Sequence, residues 1–309
     1  MTFELKEKSE LTDKISNEYV EAEFARFGGE LIKLYSRKTG IQYMSEPKPG
    51  TWDRISPVLF PIIGCVTDNK IICDGKEYDM YIHGFAHFQN FDLFEKTENS
   101  IVYVLKSEGR YRDVYPYEFE LYLSYILLDD GIKCGWKIVN KSNCKMFFSI
   151  GGHPAFKCPI DDSDRNEYFI KFHGASKLNR SLINMSNGCL YPDKENIDTS
   201  LKDKNGEVGL LKFSDDLFDR DALVIEDNQV HQVSLLKADK TLYLSVQFDA
   251  PVFGVWTEAG KKSPFVCIEP WYGRCDMMGF KDEFSKRDWQ NSLDAGEVFE
   301  KSYRIKIFG

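Results

Sequence analysis

The chain has 309 residues, 42 % of them hydrophobic and 29 % charged, with a formal net charge of −9. That length suits two average domains or one large all-β domain, and an acid excess without a basic patch argues against a nucleic-acid partner. No stretch approaches the roughly 20 apolar residues that span a bilayer. The start, MTFELKEKSELTDK, has no apolar signal run, so the expectation is a cytoplasmic protein with no membrane partner.

Residues 5–17 carry a polar helical pattern, and after them period-2 alternation takes over. Tyr19–Phe24 alternates, turns at Gly28–Gly29 into Glu30–Tyr35, and turns again at Lys38–Gly40 into Ile41–Met44, a β-meander. Further strands are expected at Ile101–Leu105 and Glu118–Leu127. Asp129–Asp130–Gly131 is a hairpin signal leading into Ile132–Asn140. Met146–Ile150 reads as a strand ending at Gly151–Gly152.

The polar stretch 186–209 reads as a long solvated excursion, and Ser214–Leu217 is too short for a helix. Strands return at 210–213, 232–236, 241–248, 253–256, 264–268 and 299–307. No linker or repeat divides the chain, and the aromatic share of 14 % suits pleated sheets. The expected fold is all-β, one large antiparallel β-sandwich domain over residues 1–309.

Eight cysteines are scattered with no CxxC pair, which predicts reduced, mostly buried thiols and no cysteine zinc site. Two of only five histidines stand among glycine, proline and apolar residues, in Ile82–His83–Gly84–Phe85–Ala86 and Gly151–Gly152–His153–Pro154. A ring so placed can sit in a cleft with its pKa free to move, although His83 alone serves equally as a structural residue. Glu269 follows the apolar run Pro264–Ile268. Burial there raises a carboxylate toward general-base range, whereas a turn to solvent leaves it ordinary.

Arg54, before Ile55–Gly64, has the planar fork to bind sugar hydroxyls or to sit at a strand end on the surface. Trp271 and Tyr272 suit stacking on a pyranose or packing in a core. Two histidines and a glutamate also form a His₂Glu metal set, but the long spacings and the lack of HExxH weigh against it. No GxSxG, GxGxxG or P-loop occurs.

The ordered segments Arg54–Gly64, Tyr81–Ala86, Gly151–Phe156 and Ile268–Trp271 resemble the aldose 1-epimerase (galactose mutarotase) family, and within it the LacX-like branch. The resemblance implies a galactose mutarotase-like supersandwich with its site in a cleft across one sheet. It implies a cofactor-independent, metal-free isomerase that interconverts the anomers of a hexose or related small-molecule sugar.

By the same resemblance Glu269 is the general base and His153 the general acid, while Arg54 and His83 bind and polarise the sugar. The family's site aspartate matches Asp221 in preference to Asp219, and Trp271 completes the binding set. Cys65 and His87 stand where the branch often has basic residues. Those departures keep open a second reading, a sugar-binding or regulatory module with little turnover. A His₂Glu metalloenzyme is the third.

Overall fold

In the computed structural model, which describes residues 8–161 and 163–308, alternating apolar residues build two large antiparallel sheets of ten and eight strands. The described residues contain no α-helix, only short 3-10 turns. A four-stranded sheet of Thr12–Ser16, Val20–Ala25, Glu30–Ser36 and Ile41–Gln42 adds the expected meander.

The ten-stranded sheet is organised on the hairpin Phe119–Leu128 and Gly131–Asn140, which closes at Leu128↔Gly131 where Asp-Asp-Gly was expected to turn. Leu121, Leu123 and Tyr125 point inward, while Tyr122, Ser124 and Ile126 face outward. This is the one-sided burial usual for antiparallel sheets.

The eight-stranded sheet runs in the order Leu190–Asp198, Lys177–Ile183, Leu223–Ile225, Val252–Trp256, Phe265–Tyr272, Ile150–Gly152, Val58–Leu59, with Ala155–Lys157 also pairing with Phe265–Tyr272. Its Phe253, Val255, Val266 and Ile268 join one continuous core with Leu123, Ile132 and Ile305 of the other sheet. The opposite face is covered too. All eight residues of Phe265–Tyr272 are buried, and Leu59, Val224, Val252 and Trp271 form a second, smaller cluster there.

Three expectations need correction. The polar helical pattern at 5–17 is not a helix where it is described. Residues 5–7 lie outside the described residues, and Thr12–Ser16 is a strand paired with Val20–Ala25. The Asn17 side chain accepts hydrogen bonds from the Tyr19 and Val20 amides, and that turn overrides a weak local propensity.

The stretch 186–209 is not loop throughout. Leu190–Asp198 pairs with Lys177–Ile183, and its exposed polar residues are those of an edge strand. Finally, Glu269 does not follow a strand but lies inside one, opposite Gly254. A strand buried on both faces reads as a continuous apolar run, so its one charged residue looked like its end.

Candidate active site

Strand pairing decides where the chemistry sits. Gly151 pairs with Trp271 and Ala155 with Cys267, so His153 between them comes opposite Glu269. His153 Nε2 lies 3.3 Å from Glu269 Oε2, and both side chains are buried. On the other side of Glu269 the partner is Gly254, which adds no side chain. The two groups stand on the floor of a cleft of about 460 Å³, within the usual range for small-ligand sites.

His83 reaches the same cleft on a sharp turn, with φ of 62° at His83 and 75° at Gly84. A Cβ at Gly84 would fall 2.2 Å from the Phe60 carbonyl oxygen, so only glycine fits the turn. The Gly64 amide donates to His83 Nδ1 at 3.1 Å, which fixes the tautomer and leaves Nε2–H as a donor. The His83 ring stands edge-on to His153, with centroids 5.4 Å apart.

Arg54 is not a surface residue. Its guanidinium pairs with Glu30 at 2.5 Å, donates to the His87 carbonyl at 2.6 Å and lies between the Phe27 and Phe88 rings. Glu30 in turn accepts from the Ile55 and Ser56 amides.

Asp221 also lines the cleft, in a left-handed turn at φ 65° that its short polar side chain tolerates, whereas Asp219 is exposed. Trp271 lies flat on the sheet. A Cβ at Gly254 would meet its ring at 2.6 Å and one at Gly151 at 2.7 Å, so these two glycines make room for the indole.

The electrostatics follow from burial. Burial, then the neighbouring Asp221 charge, raises the Glu269 carboxyl well above its ordinary range, while the Trp271 indole works against that. Burial holds His153 well below the usual imidazole value, with His83 adding to it. Burial pushes His83 down to about 4, and burial with the Arg54 charge lowers His87. Asp221 is raised by burial. Burial thus holds one carboxyl group and one imidazole in contact, able to exchange a proton.

The sequence profile of the aldose 1-epimerase family matches residues 13–306. The chain belongs to that family. It is 30 % identical to the plasmid-encoded protein LacX of Lactococcus lactis subsp. lactis, over 96 % of this chain and 99 % of LacX. Among solved structures it is similar to a galactose mutarotase related enzyme from Lactobacillus acidophilus, with a TM-score of 0.89 and 30 % identity over 97 % and 98 % of the two chains. A galactose mutarotase-like protein from Lactobacillus casei shares the fold at a TM-score of 0.86 and 23 % identity, covering 96 % and 100 %.

All six residues expected in this family member's site, Arg54, His83, His153, Asp221, Glu269 and Trp271, line one cleft, and so do Cys65 and His87. Residues not expected there also matter. The Trp52 ring lies 4.7 Å from the His153 ring at a 32° tilt, and Trp256 meets it edge-on at 5.5 Å. Trp52 comes from an irregular loop, where periodicity carries no signal. Glu30 sits in a strand whose alternation gives no hint that its carboxylate anchors Arg54. All eight cysteines are free, with only Cys144 exposed and Cys65 half-buried.

Proposed function

We propose that the chain is a cofactor-independent aldose 1-epimerase acting on a hexose or related sugar that carries no phosphate. The observation that supports this reading is the buried His153–Glu269 contact at 3.3 Å on the floor of the cleft. Anomer exchange needs one group to take the C1 hydroxyl proton while another protonates the ring oxygen.

Glu269 acts as base and His153 as acid. The ring C1–O5 bond breaks, the carbonyl forms, and rotation about C1–C2 presents its other face. On reclosure the O5 hydroxyl returns its proton to His153 and Glu269 protonates the carbonyl oxygen, restoring the pair. Each proton transfer contributes roughly 10²–10⁴-fold. The reactive Glu269 carboxylate and His153 imidazolium are the proton-transferred form of the neutral pair that burial favours.

His83 Nε2–H and Arg54 serve as hydrogen-bond donors to sugar oxygens, Asp221 as an acceptor, and the Trp271 indole as the surface for the pyranose. The charge of the cleft disfavours a phosphate group. Among the described residues Arg54 is the cation lining the cleft and Glu30 already pairs with it, while Asp53 and Asp221 add acidic groups.

Polarimetry on fresh α-D-glucose and α-D-galactose, with Glu269→Gln beside the wild type, tests the reading. Acceleration by the wild type alone supports it. Saturable sugar binding without acceleration would instead support the binding-module reading, which Cys65 and His87 in the cleft wall favour.

A further inference from the structure

The acid–base pair has a third neighbour that anomer exchange does not use. Cys267 precedes Glu269 by two residues on the strand Phe265–Tyr272, so both side chains leave the same face of the sheet. One ligand atom from each of His153, Cys267 and Glu269 lies within 4.8 Å of the other two, and all three residues are buried. Neither Glu269 oxygen makes a hydrogen bond of good geometry with the described residues. A buried carboxyl group without such a partner is a costly arrangement, and it faces a thiol and an imidazole.

We propose that His153, Cys267 and Glu269 form a binding site for a thiophilic divalent cation, Zn²⁺ or Cd²⁺, and that the bound ion blocks sugar from the acid–base pair. Thiolate, imidazole and carboxylate are the donor types that zinc takes, and three protein ligands leave its fourth position open toward the cleft. A tetrahedral ion with bonds of about 2.0–2.3 Å sets its donors roughly 3.5 Å apart, so donors up to 4.8 Å apart must close by about 1 Å. Thiolate softness selects against Mg²⁺ and Ca²⁺.

Charge favours the same ion. One thiolate and one carboxylate offset two positive charges, so the occupied site is neutral in a dry environment where an unbalanced ion is costly. Binding replaces the thiol and carboxyl protons by the cation, and both protons pass to solvent. No redox step is involved. The inference does not depend on the epimerase reading, because a protein that merely bound sugar would present the same three donors.

The test uses the full-length protein, stripped with a chelator and titrated with Co²⁺ in the absence of sugar. The wild type is expected to show a sulfur-to-cobalt charge-transfer band together with tetrahedral d–d bands, both displaced by Zn²⁺ and untouched by Mg²⁺. Cys267→Ser should lose the charge-transfer band and bind at least about tenfold more weakly, since removal of a mere outer-shell partner already costs roughly 10–100-fold. Glu269→Gln should keep the band and bind more weakly, which covers the case in which Cys267→Ser fails to fold.

No thiolate band in the wild type, or undiminished affinity in Cys267→Ser, would overturn the proposal. Because this readout needs no turnover, its failure leaves the anomer-exchange reading standing, and polarimetry can fail without touching it.

Discussion

His153 and Glu269 face each other across neighbouring strands, Nε2 to Oε2 at 3.3 Å, and Gly254 flanks Glu269 on its other side. A buried carboxyl group on the floor of the cleft is poised for proton transfer and costly to keep. Glu269→Gln should therefore lower kcat by about 10²–10⁴-fold while raising stability. Unfolding frees Glu269 to ionise near 4.5, whereas burial raises its folded pKa, so the wild type is penalised increasingly as pH rises above 4.5. The Gln variant escapes that penalty. Its Tm should exceed the wild type's by about 2 °C or more at pH 8, and the gap should narrow at pH 4. Equal Tm values at pH 8 would contradict this.

Trp52 roofs His153 at 4.7 Å between ring centroids. Its loop is fastened by Lys261, which donates to the Gly50 carbonyl and pairs with Glu258. Removing the roof frees the imidazole to leave its productive orientation, and displacement of about 1 Å costs on the order of 10²-fold in rate. Trp52→Ala should lose roughly 10- to 100-fold in kcat, and Trp52→Phe, which keeps a stacking ring, should recover much of it. Matched kcat values for the two variants would count against the stacking argument.

Gly254 carries no positive φ, so its requirement comes from space alone. A Cβ there would fall 2.6 Å from the Trp271 ring. Gly254→Ala should lift the indole off the sheet, costing about 1–3 kcal/mol in chemical denaturation and raising KM for sugar. A variant with wild-type stability and KM would show that the ring does not need its flat seat.

The sandwich was legible because period 2 is local and strong. Phe119–Leu128 and Gly131–Asn140 were expected nearly to the residue, and Asp129–Asp130–Gly131 marks their turn. His83 stands out beside Gly84, whose left-handed turn is present, and His153 after two glycines, which lie extended in the strand Ile150–Gly152; both rings line the candidate cleft. What escaped depends on contacts distant in the chain. Glu30 reaches Arg54 over 24 positions, Trp52 meets His153 over about 100, and no local pattern encodes either. The pattern at 12–16 misled because this edge strand buries only Ile15, which leaves no run of apolar positions from which alternation can be read.

Charge in the cleft makes a further prediction. Among the described residues the one lining cation, Arg54, is paired with Glu30, and Asp53 and Asp221 share the wall. Glucose 6-phosphate should therefore have a kcat/KM at least about tenfold below that of glucose, a difference of roughly 1.4 kcal/mol. Arg54→Gln should lose stability as well as activity, by about 3 kcal/mol, because it leaves the buried Glu30 carboxylate with two backbone amides and no cation. Preference for the phosphorylated sugar would refute the charge argument.

His83 ties acid sensitivity to the site. Its folded pKa of about 4 lies below the ordinary 6.5, so as pH falls through 6.5 the unfolded chain takes a proton that the folded chain refuses. Stability is thus fully present above 6.5, declines toward 4 and levels off below it. A shift of that size corresponds to roughly 3 kcal/mol. His83→Asn keeps a residue that tolerates the left-handed turn and removes the titration. Urea unfolding of this variant should show a shallower loss of stability between pH 6.5 and pH 4 than the wild type. Lowered His153 and His87 would supply the slope that remains. An unchanged slope would mean that the folded protein protonates His83 as readily as the unfolded chain does, so that burial does not lower its pKa.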